Sequence, residues 1–221
     1  RTMSWKEIQQ QRDTRPLHIL ITGSSQGIGL AAAQRLLSQG HVVYHACRTK
    51  ERALEAAAAA GGGVALEGCD LADFDSIQRF AKDVHEKIPR LDVLCLNAGI
   101  APSSSATRPP RLTAQGYEAC IGINHLGHFL LFQLLQSKLL PNKKNSSESR
   151  GSRLVITASS VHDPEQKAGQ SGGQTATLGD LRGLGINLRQ EQHNAPTMVN
   201  GATDYHGGKV YKDSKLCNIL M

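Results

Sequence analysis

His18-Ile19-Leu20-Ile21-Thr22-Gly23-Ser24-Ser25-Gln26-Gly27-Ile28-Gly29-Leu30 is an apolar run that halts at Thr22-Gly23, turns through spaced glycines and resumes as a helix-forming segment to Ser38. A strand that feeds a helix through glycines gathers free backbone N–H groups and the positive end of the helix dipole at one point. Glycine is needed there because the backbone must turn tightly and approach an anion such as a pyrophosphate with no Cβ between them. Isolated glycine triplets also occur in ordinary turns. The strand before and the helix after make this one specific. Gly23, Ser25, Gln26, Gly27, Ile28 and Gly29 are therefore candidate cofactor contacts.

The same alternation continues outward. Gly40 stands where a helix C-terminal glycine belongs, and Val42 to Cys47 reads as a second strand. Arg52 to Ala60 is a helix stopped by Gly61-Gly62-Gly63, followed by a short strand from Val64 to Leu66. Asp73 to Lys87 has helical spacing through Ile77, Phe80, Ala81 and Val84, and Leu91 to Leu96 is a fourth strand. Thr113 to Leu140 reads as one long helix or two in succession, stopped by Pro141, and Leu154 to Thr157 is a fifth strand. This pattern predicts an α/β fold: a Rossmann-type, doubly wound parallel sheet in a three-layer α/β/α arrangement, as one domain over residues 1–221. Asn142 to Ser152 and Val161 to about Thr203 read as loops.

Composition narrows the function classes. Hydrophobic residues make up 39% and charged residues 20%, which suits a globular core, and no apolar run is long enough to cross a bilayer. The net charge of +6 comes from scattered basic residues, and aromatics are only 4%, so nucleic-acid binding is not expected. Five cysteines with no Cys-x-x-Cys spacing read as free thiols in a reducing compartment such as the cytoplasm. His125 and His128 have metal-ligand spacing but no carboxylate or cysteine ligand nearby; they read as packing and hydrogen-bonding residues, with no metal expected. The chain starts at Arg1, so any targeting segment cannot be read.

Where dinucleotide sites selective for NAD place an acid after the second strand, this chain has Cys47-Arg48-Thr49-Lys50. A guanidinium can hold a 2′-phosphate bidentately, which points to NADP(H), with Arg48 as the discriminator and Lys50 as a weaker second. Tyr211 and Lys215 are four apart, on one face of a helix. Acid–base chemistry at neutral pH needs that pairing, because a nearby ammonium favours a phenolate. Tyr205 and Lys209 have the same spacing, but Gly207-Gly208 between them makes a poor helix.

With the glycine loop, Asn124-His125-Leu126-Gly127-His128-Phe129 and Tyr211-Lys212-Asp213-Ser214-Lys215, the chain resembles the short-chain dehydrogenase/reductase family. Through Leu178-Gly179-Asp180-Leu181-Arg182-Gly183-Leu184 it is most similar to the light-dependent protochlorophyllide reductase branch. The resemblance implies Ser160, Tyr211, Lys215 and Asn124 as catalytic residues. It implies Asp70, Leu71, Asn97, Ala98 and Gly99 beside Tyr211 and Lys215 at the cofactor. It also implies a plastid setting and transfer of hydride from NADPH to a tetrapyrrole double bond, with a proton from Tyr211. The family continues with further strands beyond Lys215, so the chain is expected to be incomplete at Met221.

Gly99 and His162 replace an alanine and a threonine typical of that branch, which keeps a carbonyl or alcohol oxidoreductase similar to retinol dehydrogenases open as an alternative. A non-catalytic subunit of a larger assembly is the third reading, and an oligomer is left open. Fifty residues lie between Ser160 and Tyr211, and an insertion there is expected to cover a small-molecule substrate.

Overall fold

The structure, a computed structural model, describes residues 15–103, 111–139, 151–184 and 198–221. Its sheet consists of β1 (His18–Thr22), β2 (Val42–Ala46), β3 (Val64–Ala65), β4 (Val93–Leu96) and β5 (Arg153–Ile156). The strands are all parallel, in the order β3-β2-β1-β4-β5. The chain adds strands to one side of β1, then returns to add β4 on the other. That reversal opens a crevice at the carboxyl ends of β1 and β4, where open α/β sheets bind ligands.

Alternation along β1 sends its side chains to opposite faces. Ile19 and Ile21 pack with Ala33 and Val43 under α1 (Gly27–Ser38), whereas Leu20 joins Phe80, Leu94 and Leu131 on the other face. α2 (Lys50–Ala60) begins with the Thr49 hydroxyl accepting from the Arg52 N–H at 3.3 Å, and ends at Gly61 in the left-handed region. α3 (Phe74–Lys87) is capped by Asp73 and buries Ile77, Phe80, Ala81 and Val84 against the sheet, as their spacing predicted.

Two helices differ from expectation. The helix expected from Thr113 starts only at α4 (Ala119–Ile121). Gly116, at φ +89°, lies in the left-handed region, and residues 113–117 form a turn closed by the Thr113 N–H donating to the Tyr117 carbonyl. The Glu118 carboxylate then accepts from the Ile121 N–H at 2.9 Å and caps α4. α4 passes through a π-helical turn (Gly122–Leu126) into α5 (Gly127–Leu139).

The last helix, α7 (Gly207–Leu220), includes the two glycines expected to prevent it. They sit in its first turn, where the His206 ring accepts from the Lys209 N–H at 3.2 Å and supplies the cap. The insertion after β5 carries short elements of its own: 3₁₀ turns at Ser160–His162, Ser171–Gly173 and Arg182–Leu184, and α6 (Lys167–Gln170). Most of the loop expected from Asn142 to Ser152 lies outside the described residues.

Phe80 is fully buried at the centre of the larger core. Phe80→Ala should lower unfolding stability by roughly 3–5 kcal/mol, read as a fall in urea midpoint at unchanged slope.

Candidate functional site

A cleft of ≈ 480 Å³ opens at the carboxyl edge of the sheet. Its floor is the end of β1. Thr22 is buried, and its hydroxyl oxygen accepts from the N–H groups of Asn97 (2.9 Å) and Ala98 (3.0 Å). The same oxygen lies 2.9 Å from His128 Nε2, while His128 Nδ1 donates to the Asn124 carbonyl at 3.1 Å. Burial pushes the His128 imidazole down to about 4, so it is neutral and its Nε2 accepts from Thr22. His128 is thus a structural hydrogen-bonding residue, as its sequence context suggested. Among the described residues no cluster of histidines, cysteines and carboxylates could hold a metal.

The glycine loop forms one wall. Gly23 has φ +67°, and a Cβ on it would come within 2.8 Å of Ala98 Cα. A Cβ on Gly29 would lie 2.4 Å from the Gly23 carbonyl oxygen and 2.6 Å from Asn97 Nδ2. Two glycines thus press the start of α1 against the ends of β1 and β4. Ser25, Gln26, Gly27 and Ile28 line the cleft with them. Whereas Thr49 and Asp73 cap α2 and α3 with their side chains, no side chain caps α1. Its first N–H groups are available to an anion, and the glycines leave room for a phosphate to reach them. The residues present therefore fit a dinucleotide.

Arg48 lines the cleft just after β2. Lys50 does not; its ammonium lies 2.7 Å from Glu67. Arg52, in the first turn of α2, does line the cleft and was missed. Its four-residue spacing from Arg48 was the available signal. Asp70, Leu71, Asn97, Ala98 and Gly99 complete the wall toward β3 and β4. Asn97 Nδ2 donates to the Thr22 carbonyl at 3.0 Å, so this side chain also ties β4 to β1.

Tyr211 and Lys215 close the other end. The Lys215 ammonium lies 5.5 Å from the centroid of the Tyr211 ring and donates to the Thr157 carbonyl at 3.0 Å. Burial pulls the Lys215 amine below the ordinary lysine value. Asn218 Nδ2 shares the Thr157 carbonyl at 3.3 Å, a contact the motifs did not announce. Among the described residues the Tyr211 hydroxyl makes no hydrogen bond, so it is free to serve a ligand.

Tyr205 contrasts with it. Its hydroxyl donates to the buried Glu118 carboxylate at 3.2 Å, and burial together with that negative charge pushes its phenol upward.

Asn124 and Ser160 are not part of the cleft wall. Asn124 is fully buried in the π-helical turn. Its Nδ2 donates to the Ile100 carbonyl (2.9 Å) and the Ser214 hydroxyl (3.0 Å), and its Oδ1 accepts from the Ile100 N–H (2.8 Å). Ser160 is exposed, on the turn that packs against α7. His162, in the same turn, bonds the Ser159 carbonyl. No described residue of the insertion lines the cleft, and residues 185–197, where the rest of the expected cover falls, lie outside the described residues.

Gly23→Ala and Gly40→Ala both force a side chain into the left-handed region, but only the first meets atoms. Gly40→Ala should cost roughly 1–3 kcal/mol, and Gly23→Ala clearly more, in parallel thermal melts. The His128 value lies below the unfolded 6.5, so its neutral form contributes stability that is complete above pH 6.5 and is lost as pH falls toward 4. His128→Gln should flatten that part of the stability–pH curve, measured by urea unfolding between pH 7 and pH 4.

The chain is 43% identical over 207 residues to protochlorophyllide reductase A from Oryza sativa subsp. japonica, covering 91% of this chain and 51% of the relative. It is 37% identical over 218 residues to protochlorophyllide reductase A from Arabidopsis thaliana, covering 96% and 51%. The chain thus spans about half the length of these relatives. Among solved structures, an uncharacterized protein from Mycobacterium paratuberculosis matches with a TM-score of 0.64 and 30% identity, over 93% of this chain and 61% of that one. The Pseudomonas aeruginosa RhlG/NADP active-site complex matches with a TM-score of 0.55 and 27% identity, over 71% and 59%. The family profile described as short chain dehydrogenase matches residues 17–173, from β1 through the insertion's first turns, and with the parallel sheet and glycine-lined crevice this shows that the chain belongs to the short chain dehydrogenase family.

Proposed function

We propose that the protein is an NADPH-dependent oxidoreductase that reduces a double bond of a tetrapyrrole, as the names of its protochlorophyllide reductase relatives suggest. One observation carries the reading: Tyr211 and Lys215 stand a helical turn apart on the wall of the same cleft that the glycine loop and three arginines, Arg48, Arg52 and Arg111, line. When bound, NADPH supplies the hydride. The N–H groups at the start of α1 hold its pyrophosphate, and Arg48 and Arg52 take the 2′-phosphate. Asp70 and Leu71 lie on the adenosine side with Asn97, Ala98 and Gly99.

The Tyr211 hydroxyl gives its proton to the reduced product. The Lys215 ammonium stabilises the negative charge left on that oxygen and also reaches the cofactor's ribose. The Thr157 carbonyl fixes the ammonium in place. Asn124 acts at one remove, through Ser214 and the Ile100 backbone. Ser160 is assigned contact with the substrate, beside α7. The curated relatives' chloroplastic names support a plastid setting. No helix among the described residues is long and apolar enough to cross a membrane.

Gly99 favours a second reading, a carbonyl or alcohol oxidoreductase. A Cβ there would approach Asn124 Oδ1 at 3.1 Å and Lys215 Nζ at 3.7 Å, so glycine leaves extra room beside the lysine.

Illumination of the full-length protein with protochlorophyllide and NADPH should shift the pigment's absorbance. Absence of a shift, with turnover on a carbonyl panel, would select the second reading. In either case Tyr211→Phe should lower kcat by about 10²–10⁴-fold. The pair Arg48→Ala and Arg52→Ala should raise the NADPH KM by roughly 10–100-fold, from charged hydrogen bonds of about 1.5–3 kcal/mol, and leave the NADH KM nearly unchanged.

A further inference from the structure

α7 buries three charged side chains that the cleft does not use: Lys209, Lys212 and Asp213. Buried charge is costly unless each polar atom finds a partner, and here the partners come from the insertion. The Lys212 ammonium donates to the carbonyls of Gly169 (2.8 Å), Ser171 (2.5 Å) and Gln174 (2.5 Å). Three donors meet three acceptors at the end of α6 and the turn after it, where carbonyls lack helical partners. One turn earlier on α7, Lys209 pairs with Asp213 at 2.6 Å. Together they hold both sides of one residue: Lys209 Nζ donates to the Thr177 carbonyl (3.1 Å), and the Thr177 N–H donates to Asp213 Oδ1 (2.9 Å).

Apolar contacts follow the same course. Leu178, Leu184 and Val199 pack with Cys217 and Ile121, and Met198 packs with Val210 and Cys120. The described residues of the insertion therefore pack along α7, and Met198 shares a cluster with Tyr211 and Ile100 behind the cleft wall, while none of them lines the cleft itself.

We propose that Lys209, Lys212 and Asp213 are positioning residues that fasten the insertion to α7 as a buttress, and that this fastening holds Tyr211 and Lys215 at the cleft. The proposal rests on the reading of Tyr211 and Lys215 given above, and its test separates a buttress from a cover over the substrate. A buttress governs the reaction step, whereas a cover governs substrate retention.

The test uses the full-length protein with Lys212→Met, and separately the double variant Lys209→Met/Asp213→Leu, which removes both charges and leaves neither buried alone. Amide hydrogen exchange should rise in residues 166–178 and in 207–220, while β1 and the glycine loop keep their protection. For either variant kcat should fall by about 10–100-fold through misplacement of the reacting groups, with substrate KM changed by less than about threefold. Unchanged exchange in 207–220 would overturn the proposal, whether or not the enzyme turns over. A raised KM at unchanged kcat would also overturn it and restore the cover. If the unmodified protein reduces no substrate, the activity reading fails and the exchange measurement alone decides the buttress.

Discussion

The hydroxyl of Thr22 is the point on which the site depends. It stands where β1 ends, accepts the first two backbone N–H groups after β4, and meets the neutral imidazole of His128 from α5. Two strands adjacent in the sheet but far apart in sequence are thereby held level at their carboxyl ends. Gly23 and Gly29 then bring α1 against that junction, with no room for a methyl group at either position. A cleft built this way is open at the top because strand addition reverses beneath it, and firm at the bottom because its polar groups are satisfied. The dinucleotide reading follows from that firmness. Free N–H groups at a helix start bind an anion well only if they do not have to be reorganised first.

The opposite wall is made differently. α7 is polar in sequence yet largely buried, and its lysines and aspartate would be unfavourable there on hydrophobic grounds alone. Each is matched by backbone groups of the insertion or by the other member of a pair. Lys215 follows the same rule with the Thr157 carbonyl, although it faces the cleft. The helix therefore sits among hydrogen bonds with fixed directions on both sides. This fixes its rotation more tightly than apolar packing would, because a hydrogen bond weakens steeply once its donor is turned off the line to the acceptor.

Much of this was legible in the sequence because it depends on local patterns. The apolar runs, the glycine spacing and the Arg48 and Tyr211–Lys215 positions all mark features whose physics lies within a few residues. The start of α4 was not legible, because Gly116 adopts a left-handed turn that is held by bonds between Thr113 and Tyr117, the Glu118 cap and the bridge from Leu112 to Glu118. Arg52 was missed in favour of Lys50, since the choice between two nearby cations depends on Glu67, which attracts Lys50 from the end of β3. The insertion's partners were out of reach for the same reason: carbonyls carry no sequence signal, so nothing in residues 166–178 reveals that they receive a lysine.

Tyr205 and Tyr211 show most directly what spacing leaves undetermined. Each precedes a lysine by four residues, and Lys209 and Lys215 are both buried in α7. Tyr205 lies before the cap, outside the helix, with its hydroxyl committed to Glu118 in surroundings that oppose loss of the proton. Its lysine is committed to Asp213. Tyr211 lies inside the helix, its ring beneath an ammonium, its hydroxyl uncommitted among the described residues and its side chain on the cleft wall. The phenol proposed as the proton donor is thus the one whose hydrogen-bonding capacity is left unused, among the described residues, beside a cation. Sequence spacing proposes such a group, and only the account of partners separates it from its neighbour.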